Sequence, residues 1–233
     1  DKSDKFALYP TVDDEYLTFE ELEAKIKPIQ TDKDDKLIVL YAADKKAQHS
    51  YIEAAKEKGY EVLLLDSPIV SHLLQKLETK KENVQFTRVD ADHIDNLIKK
   101  DEDVISKLTE EEKEKLKPII EGVIPSETYV VQMEAMDSSA NPFVITQPEF
   151  MRRLKEMQAT GGGGMMGMNN FPEMYNLVVN TNNELVGNIL NTKTKKKQER
   201  LIKQAFDLAK LSQNLLHGED LTSFIKRSFD MIK

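Results

Sequence analysis

Residues 37–42 are Leu-Ile-Val-Leu-Tyr-Ala, a run of apolar side chains without a polar interruption. Such a run is typical of a strand that is covered on both faces, as in a parallel sheet. Two further predicted strands, residues 61–65 and 84–89, follow it along the chain, and residues 45–58 and 68–78 between the strands have helical patterns. This alternation of strands and helices predicts a parallel sheet with right-handed crossover connections.

The flanks of this unit carry further helix signals. Thr18-Phe19-Glu20-Glu21 is a capping-box pattern, which predicts a helix that runs to about Lys27 and stops at Pro28. After the third strand, Asp90 or Asp92 is expected to begin another helix.

The second half has a different pattern. Thr109-Glu110-Glu111-Glu112 is another capping box and predicts a helix to about Gly122, while residues 147–158 also have a helical pattern. Short β-like runs occupy residues 128–133, 143–145 and 174–179. The predicted fold class is therefore α/β and α+β: a small parallel-sheet α/β unit, residues 1–105, followed by an α+β domain, residues 106–233, that ends in a helical hairpin.

Composition excludes several classes of protein. The chain of 233 residues has a net charge of −8, which disfavours a general nucleic-acid binder because phosphate contacts need a basic surface. It has no cysteine, so disulfides, thiolate metal sites and a cysteine nucleophile are excluded. Four scattered histidines leave little for a metal site. The apolar runs are strand-sized, so no membrane span is expected.

Asp44 and Asp66 follow the first two strands of the α/β unit and allow two interpretations. In open α/β sheets ligands bind at the carboxyl ends of strands, so a receiver-like or Mg²⁺/phosphate-binding domain that uses both carboxylates is one hypothesis. The other is that both cap helix N-termini. The turn at residues 42–46 has no glycine, and the chain has no phosphate-binding loop motif, which favours capping.

A methionine-rich stretch stands out chemically. Six of the nine methionines fall between residues 151 and 174, and four consecutive glycines occupy residues 161–164. Methionine is flexible and polarizable and suits binding to many unlike apolar partners. Packing of Met151 against the chain's own sheet is the alternative. A core role is harder to reconcile with flanking glycines, so an exposed binding role is predicted for Met165, Met166 and Met168.

The end of the chain has the clearest amphipathic pattern. Apolar and small side chains recur at helical spacing from about residue 194 to His217, and again after Glu219-Asp220. Two copies of this helical hairpin around a twofold axis would form a four-helix bundle, whereas folding back onto its own sheet is the alternative. The predicted dimer interface consists of Leu201, Ala205, Leu208, Ser212, Leu215, Leu221, Phe224, Ile225 and Phe229.

The order of elements resembles the C-terminal part of the heat-shock protein 90 chaperones, and the bacterial form in particular. The resemblance covers essentially the whole chain. It is carried by Lys5-Phe6-Ala7-Leu8, Tyr16-Leu17-Thr18-Phe19-Glu20-Glu21, Leu37-Ile38-Val39-Leu40-Tyr41-Ala42, Lys58-Gly59-Tyr60-Glu61-Val62-Leu63-Leu64-Leu65, Val144-Ile145-Thr146, Phe150-Met151-Arg152-Arg153-Leu154-Lys155-Glu156-Met157 and the closing pair of helices.

The resemblance implies a fragment of a homodimeric, ATP-driven molecular chaperone. Residues 1–105 would be the α/β end of the middle domain and residues 106–233 the dimerization domain. The ATP-binding domain, with its ATP and Mg²⁺, and the arginine that assists hydrolysis would lie outside this chain. The fragment would then hold no cofactor or metal and would have no ATPase activity. The absence of an initiator methionine agrees with that expectation.

The resemblance also implies binding residues and partners. Unfolded client proteins would contact Met151, Leu154 and Met157. They would also contact the helix after the strand at residues 61–65, where Ser71, His72 and Gln75 occupy the positions of the family's client-binding residues. The chain ends Asp230-Met231-Ile232-Lys233, without the acidic pentapeptide that docks TPR co-chaperones in eukaryotic relatives. The resemblance therefore implies a bacterial cytoplasmic protein whose partners are a second copy and its clients, without nucleic acid or membrane.

Overall fold

A computed structural model describes residues 6–67, 70–100, 104–153 and 174–232. Contacts between residues divide the chain into two compact units. Unit 1 comprises Asp1–Glu102 and Gln147–Phe171, and unit 2 comprises Asp103–Thr146 and Pro172–Lys233. The prediction divides the chain once, between residues 105 and 106. The contacts instead assign the later segment Gln147–Phe171 to the first unit.

Unit 1 contains the predicted parallel sheet. The strands β3 (Leu37–Ala42), β4 (Val62–Leu64) and β5 (Val84–Arg88) are all parallel and lie in the order β4-β3-β5. All six residues of the central strand β3 are buried, as its uninterrupted apolar run predicts. A separate antiparallel pair, β1 (Leu8–Pro10) and β2 (Tyr16–Thr18), was not predicted.

Several ends of the unit 1 helices differ from those predicted. They are α1 (Phe19–Gln30), α2 (His49–Glu57), α3 (Val70–Lys80) and α4 (Ile94–Leu97). Thr18 caps α1 in the predicted capping box, but the expectation that α1 ends at Pro28 is wrong. Turns precede α2 and α4, which start later than expected.

The extension of α1 past Pro28 has a tertiary cause. Gln30 is fully buried; its Nε2 donates to the carbonyl of Ile38 at 2.9 Å, and its Oε1 accepts from the amide of Glu61 at 2.6 Å. These two bonds join the last residue of α1 to residues in and beside the sheet. They compensate for the hydrogen bond that proline removes from the last turn.

Unit 2 is a mixed sheet with helices. Its strands β6 (Tyr129–Glu134), β7 (Phe143–Thr146) and β8 (Tyr175–Asn180) lie in the order β6-β8-β7, with β6 parallel and β7 antiparallel to β8. Its helices are α5 (Glu110–Glu121), α6 (Glu184–Asn191), α7 (Lys195–Ser212) and α8 (Gly218–Ile232). The capping box at Thr109 is confirmed, whereas α6 was not predicted. The described residues thus have a mixed α/β fold with a parallel sheet.

Candidate interaction surfaces

The helix α3 carries the first group of predicted client-binding residues. Leu74 and Leu77 face the core of unit 1, while His72 and Gln75 lie on the exposed face and line a shallow depression of about 660 Å³. Ser71 is only 4% exposed and lies on the buried side. The structure therefore brings two of the three predicted residues onto one accessible face and places the third inside the fold.

The second group begins in a short helical stretch, residues 149–153. Met151 is partly exposed there, and the neighbouring Phe150 is 74% exposed, which is unusual for so large an apolar side chain. The other predicted residues of this group, Leu154, Met157, Met165, Met166 and Met168, lie outside the described residues.

Two arginines join this helical stretch to the rest of unit 1. Arg152 is 4% exposed and donates through Nη2 to the hydroxyl of Tyr41 on β3 and to the carboxylate of Glu149. The Tyr41 hydroxyl also donates to Glu149 at 3.2 Å. Burial raises the pKa of Tyr41, and the nearby Glu149 carboxylate raises it further. The phenol therefore stays protonated and continues to donate at neutral pH.

Arg153 makes the second set of contacts. It forms two bonds with Glu78 of α3, Nη1–Oε2 at 2.8 Å and Nη2–Oε1 at 3.1 Å, and a third with Glu149, Nε–Oε1 at 2.7 Å. Burial by itself would lower the pKa of Arg153, but the hydrogen bonds to Glu78 and Glu149 outweigh it and raise that pKa. Glu78 and Arg153 thus join the two elements that carry the predicted client-binding residues.

Sequence reasoning missed this network. Arg152 and Arg153 follow Glu149 by three and four residues, which is the spacing of ion pairs along a helix. This spacing could have predicted the two ion pairs that Glu149 forms with these arginines. Nothing in the sequence indicates Glu78 or Tyr41 as their partners, because these residues lie 75 and 111 positions away along the chain.

The predicted dimer interface lies on α7 and α8. Its members divide by exposure. Those with an exposed side chain are Leu208, Ser212, Ile225 and Phe229, those partly exposed are Leu201, Leu215 and Leu221, and those buried are Ala205 and Phe224. Ala205 belongs to the core of unit 2, so it supports the fold and not an exposed face. Leu211, 43% exposed, was not predicted and adds to the apolar surface.

The exposed apolar part of this hairpin is substantial. Leu208 is 50% exposed, Phe229 63% and Ile225 45%. We call these three residues with Leu211 the hairpin face. Large apolar side chains grouped on two adjacent helices at the surface are typical of a protein–protein contact.

Comparison with known proteins decides the family. The pattern of the family described as Hsp90 protein matches residues 10–233. The chain belongs to the Hsp90 family. This confirms the resemblance drawn from the sequence, including its bacterial type and the correspondence to the C-terminal portion of the relatives.

Several curated Hsp90 relatives from bacteria are similar over most or all of the chain. "Chaperone protein htpG" of Bacteroides fragilis is 35% identical over 299 residues, covering 100% of this chain and 44% of that protein. The corresponding protein of Bacteroides thetaiotaomicron is 34% identical with the same coverage, and that of Porphyromonas gingivalis is 37% identical over 82% of this chain. The chain therefore spans less than half the length of these Hsp90 relatives.

The Hsp90 chain uses Asp44 as a structural group. Its Oδ1 accepts hydrogen bonds from the amides of Ala47 at 2.9 Å and Lys46 at 2.8 Å, and these bonds lower the pKa of the Asp44 carboxyl. Asp66 is exposed. Among the described residues no group of three or more acidic or histidine side chains could hold a metal ion. The amides of Lys46 and Ala47 belong to the turn that precedes α2, and the N-cap residue of α2 is Gln48. Asp44 therefore stabilises that turn, and the prediction that it caps the helix N-terminus is wrong.

In the described ranges, none of the helices combines the length and the apolar character that a membrane span requires.

Proposed function

We propose that this chain is the part of an ATP-dependent chaperone that provides homodimerization and part of the surface for unfolded client proteins. Its Hsp90 membership and the chaperone names of its relatives support the chaperone role. The observation that carries the dimerization proposal is the hairpin face, on which Leu208 and Phe229 expose half or more of their surface. A second copy that covers this face would remove it from water.

The client-binding half of the proposal is supported by two features of unit 1. His72 and Gln75 are accessible at the depression on α3, and Phe150 and Met151 present apolar surface on the helical stretch at residues 149–153. Glu78 and Arg153 link these elements, so both kinds of surface belong to one compact unit. An apolar, methionine-bearing surface beside polar side chains suits binding to varied unfolded chains.

The remaining features are proposed for the whole protein. We propose that it binds ATP and Mg²⁺ outside this chain, that the chain alone has no ATPase activity, and that the protein works in the bacterial cytoplasm. The bacterial sources and greater length of the relatives support this. We propose residues 1–105 as the end of the middle domain and residues 106–233 as the dimerization domain, with no nucleic acid, membrane or TPR co-chaperone as a partner.

Two measurements test the proposal. Sedimentation equilibrium at micromolar concentration should give twice the chain mass, and fluorescence anisotropy should detect binding of a permanently unfolded model protein but not of its folded form. A monomer at that concentration would contradict the dimerization half. Equal binding of folded and unfolded forms, or of neither, would contradict the client-binding half.

A further inference from the structure

The strand β5 is at one edge of the parallel sheet, and its hydrogen-bonding groups point in alternating directions. The amide of Leu37 donates to the carbonyl of Asn83 at 2.8 Å, and the amide of Val89 donates to the carbonyl of Tyr41 at 2.9 Å. Odd-numbered residues of this stretch therefore bond to β3. By the alternation of a parallel ladder, the amide and carbonyl of Phe86 point away from the sheet.

Both outward groups of Phe86 are occupied by side chains. Its amide donates to Oε1 of Glu78 at 2.8 Å, and its carbonyl accepts from Nη2 of Arg153 at 2.6 Å. Glu78 and Arg153 are bonded to each other as well. One ion pair thus caps the donor and the acceptor of the same edge residue.

This arrangement reproduces the hydrogen bonds of a neighbouring strand. A carboxylate accepts where the carbonyl of an added strand would accept, and a guanidinium donates where its amide would donate. Edge strands are templates for pairing with another extended chain, and proteins protect them with charged side chains. We infer that the Glu78–Arg153 pair occupies a site at the outer edge of β5 where an extended polypeptide segment can add as a further strand.

The surroundings of Phe86 indicate the chemistry of the segment. An open groove of about 530 Å³ runs beside the edge and is lined by Lys36, Glu78, Glu82, Val84, Gln85, Phe86, Glu149, Phe150 and Arg153. The exposed ring of Phe150 and the side chain of Val84 supply apolar contacts. Three carboxylates outnumber two cationic side chains, so the groove favours a segment with alternating apolar and basic residues.

The two halves of the pair lie on different elements. Glu78 is on α3, and Arg153 lies in the short helical stretch that also carries Met151. Movement of that stretch would withdraw the donor from Phe86. The site binds main chain through the sheet, and it shares Phe150 with the proposed client surface. It rests on the proposed function only in that its ligand is an unfolded polypeptide.

A peptide-binding experiment with the full chain tests the inference. The probe is a labelled short peptide of alternating valine and lysine, compared with the same peptide N-methylated at alternate residues, which cannot complete the ladder. Arg153→Ala uncaps the carbonyl of Phe86 and Glu78→Ala uncaps its amide. We expect each variant to bind the unmodified peptide roughly tenfold more tightly than the wild type and to show no such gain with the methylated peptide.

Control variants make each outcome decisive. Lys113→Ala breaks a comparable ion pair with Glu110 on α5 and should leave peptide affinity unchanged. If Arg153→Ala does not fold, Glu78→Ala alone decides, because Arg153 then keeps its bonds to Phe86 and Glu149. Unchanged affinity in a folded variant, or an equal gain with the methylated peptide, overturns the inference. Failure of the wild type to bind an unfolded protein would instead count against the proposed function.

Discussion

Arg227 on α8 donates through Nη2 to Oδ2 of Asp207 on α7 at 2.5 Å, and so joins the two helices of the terminal hairpin. Asp207 is 1% exposed, and its second oxygen has no hydrogen-bond partner among the described residues. Arg227 also donates through Nε to Gln204 at 2.7 Å. A buried ion pair of this kind sets which faces of two helices meet, and hence which side chains remain on the hairpin face.

Removal of Arg227 should destabilise unit 2 strongly. Arg227→Met leaves the buried carboxylate of Asp207 with only Lys203, 3.8 Å away, so we expect the free energy of unfolding to fall by about 3 kcal/mol. Urea denaturation followed by circular dichroism measures this change. The double variant with Asp207→Asn should recover part of the loss because the buried charge is gone. Arg200→Met, at an exposed position, is the control; an equal effect there would contradict the argument.

The hairpin face should control assembly. Leu208→Glu places a charge in the proposed dimer contact, where burial without a partner is costly, and should give a folded monomer. Light scattering measures the mass, and circular dichroism checks the fold. Lys196→Ala changes the net charge by the same amount at an exposed position and should leave the dimer intact. A dimeric Leu208→Glu protein would contradict the interface. Phe224→Glu is a poorer test because Phe224 is only 8% exposed and supports the hairpin itself.

The methionines should affect client binding without affecting stability. Replacing Met165, Met166 and Met168 together by serine should weaken binding of an unfolded model protein, and adding Met151→Ser should weaken it further. Melting temperature and client affinity are measured on the same variants. If these side chains were core, the melting temperature would fall by several degrees, since large-to-small core changes cost about 2–5 kcal/mol. Met231→Ser, at an exposed position on α8, is the control.

The hydroxyl of Tyr41 should contribute to unit 1. Tyr41→Phe removes the group that joins Arg152 and Glu149, and leaves the buried guanidinium with one partner fewer. We expect the free energy of unfolding to fall by about 1–3 kcal/mol, measured by urea denaturation. Tyr16→Phe is the control because Tyr16 is 65% exposed. A change within the error of the control would show that the hydroxyl is dispensable.

The capping box of α5 predicts a pH dependence. The amide and hydroxyl of Thr109 donate to Glu112 and lower the pKa of the Glu112 carboxyl below its ordinary value. This group therefore stabilises the fold above that ordinary value, and the contribution is lost as the pH falls through the lowered pKa. Between about pH 6 and about pH 3.5 the free energy of unfolding of the wild type should therefore fall more steeply than that of Glu112→Gln. Urea denaturation at several pH values measures both. Glu114→Gln, at an exposed position, should follow the wild type; a parallel curve for Glu112→Gln would contradict the prediction.

Local features of the fold could be predicted from the sequence. The capping boxes at Thr18 and Thr109 form as expected, because each depends on hydrogen bonds between residues three positions apart. The strand β3 is buried over its whole length because its side chains are all apolar. The helical hairpin and the family also followed from pattern and residue order.

Long-range contacts depended on the tertiary structure. Pro28 predicts the end of α1, but the helix continues to Gln30, whose hydrogen bonds with Ile38 and Glu61 stabilise its last turn. Among the predicted interface residues, periodicity could not tell Leu208 from Ala205, since which of them is covered depends on the sheet and helices packed against α7.

The sequence by itself therefore determined the two capping boxes, the buried strand β3, the terminal hairpin and the family, because these depend on local hydrogen bonds, apolar spacing and residue order. Only the tertiary structure decided that Glu78 and Arg153, 75 positions apart, meet at the carbonyl and amide of Phe86. Their meeting requires the strand order β4-β3-β5 and the return of the chain after β7 to unit 1. An ion pair between distant residues leaves no periodic signal, because its geometry is set by the packing of whole elements.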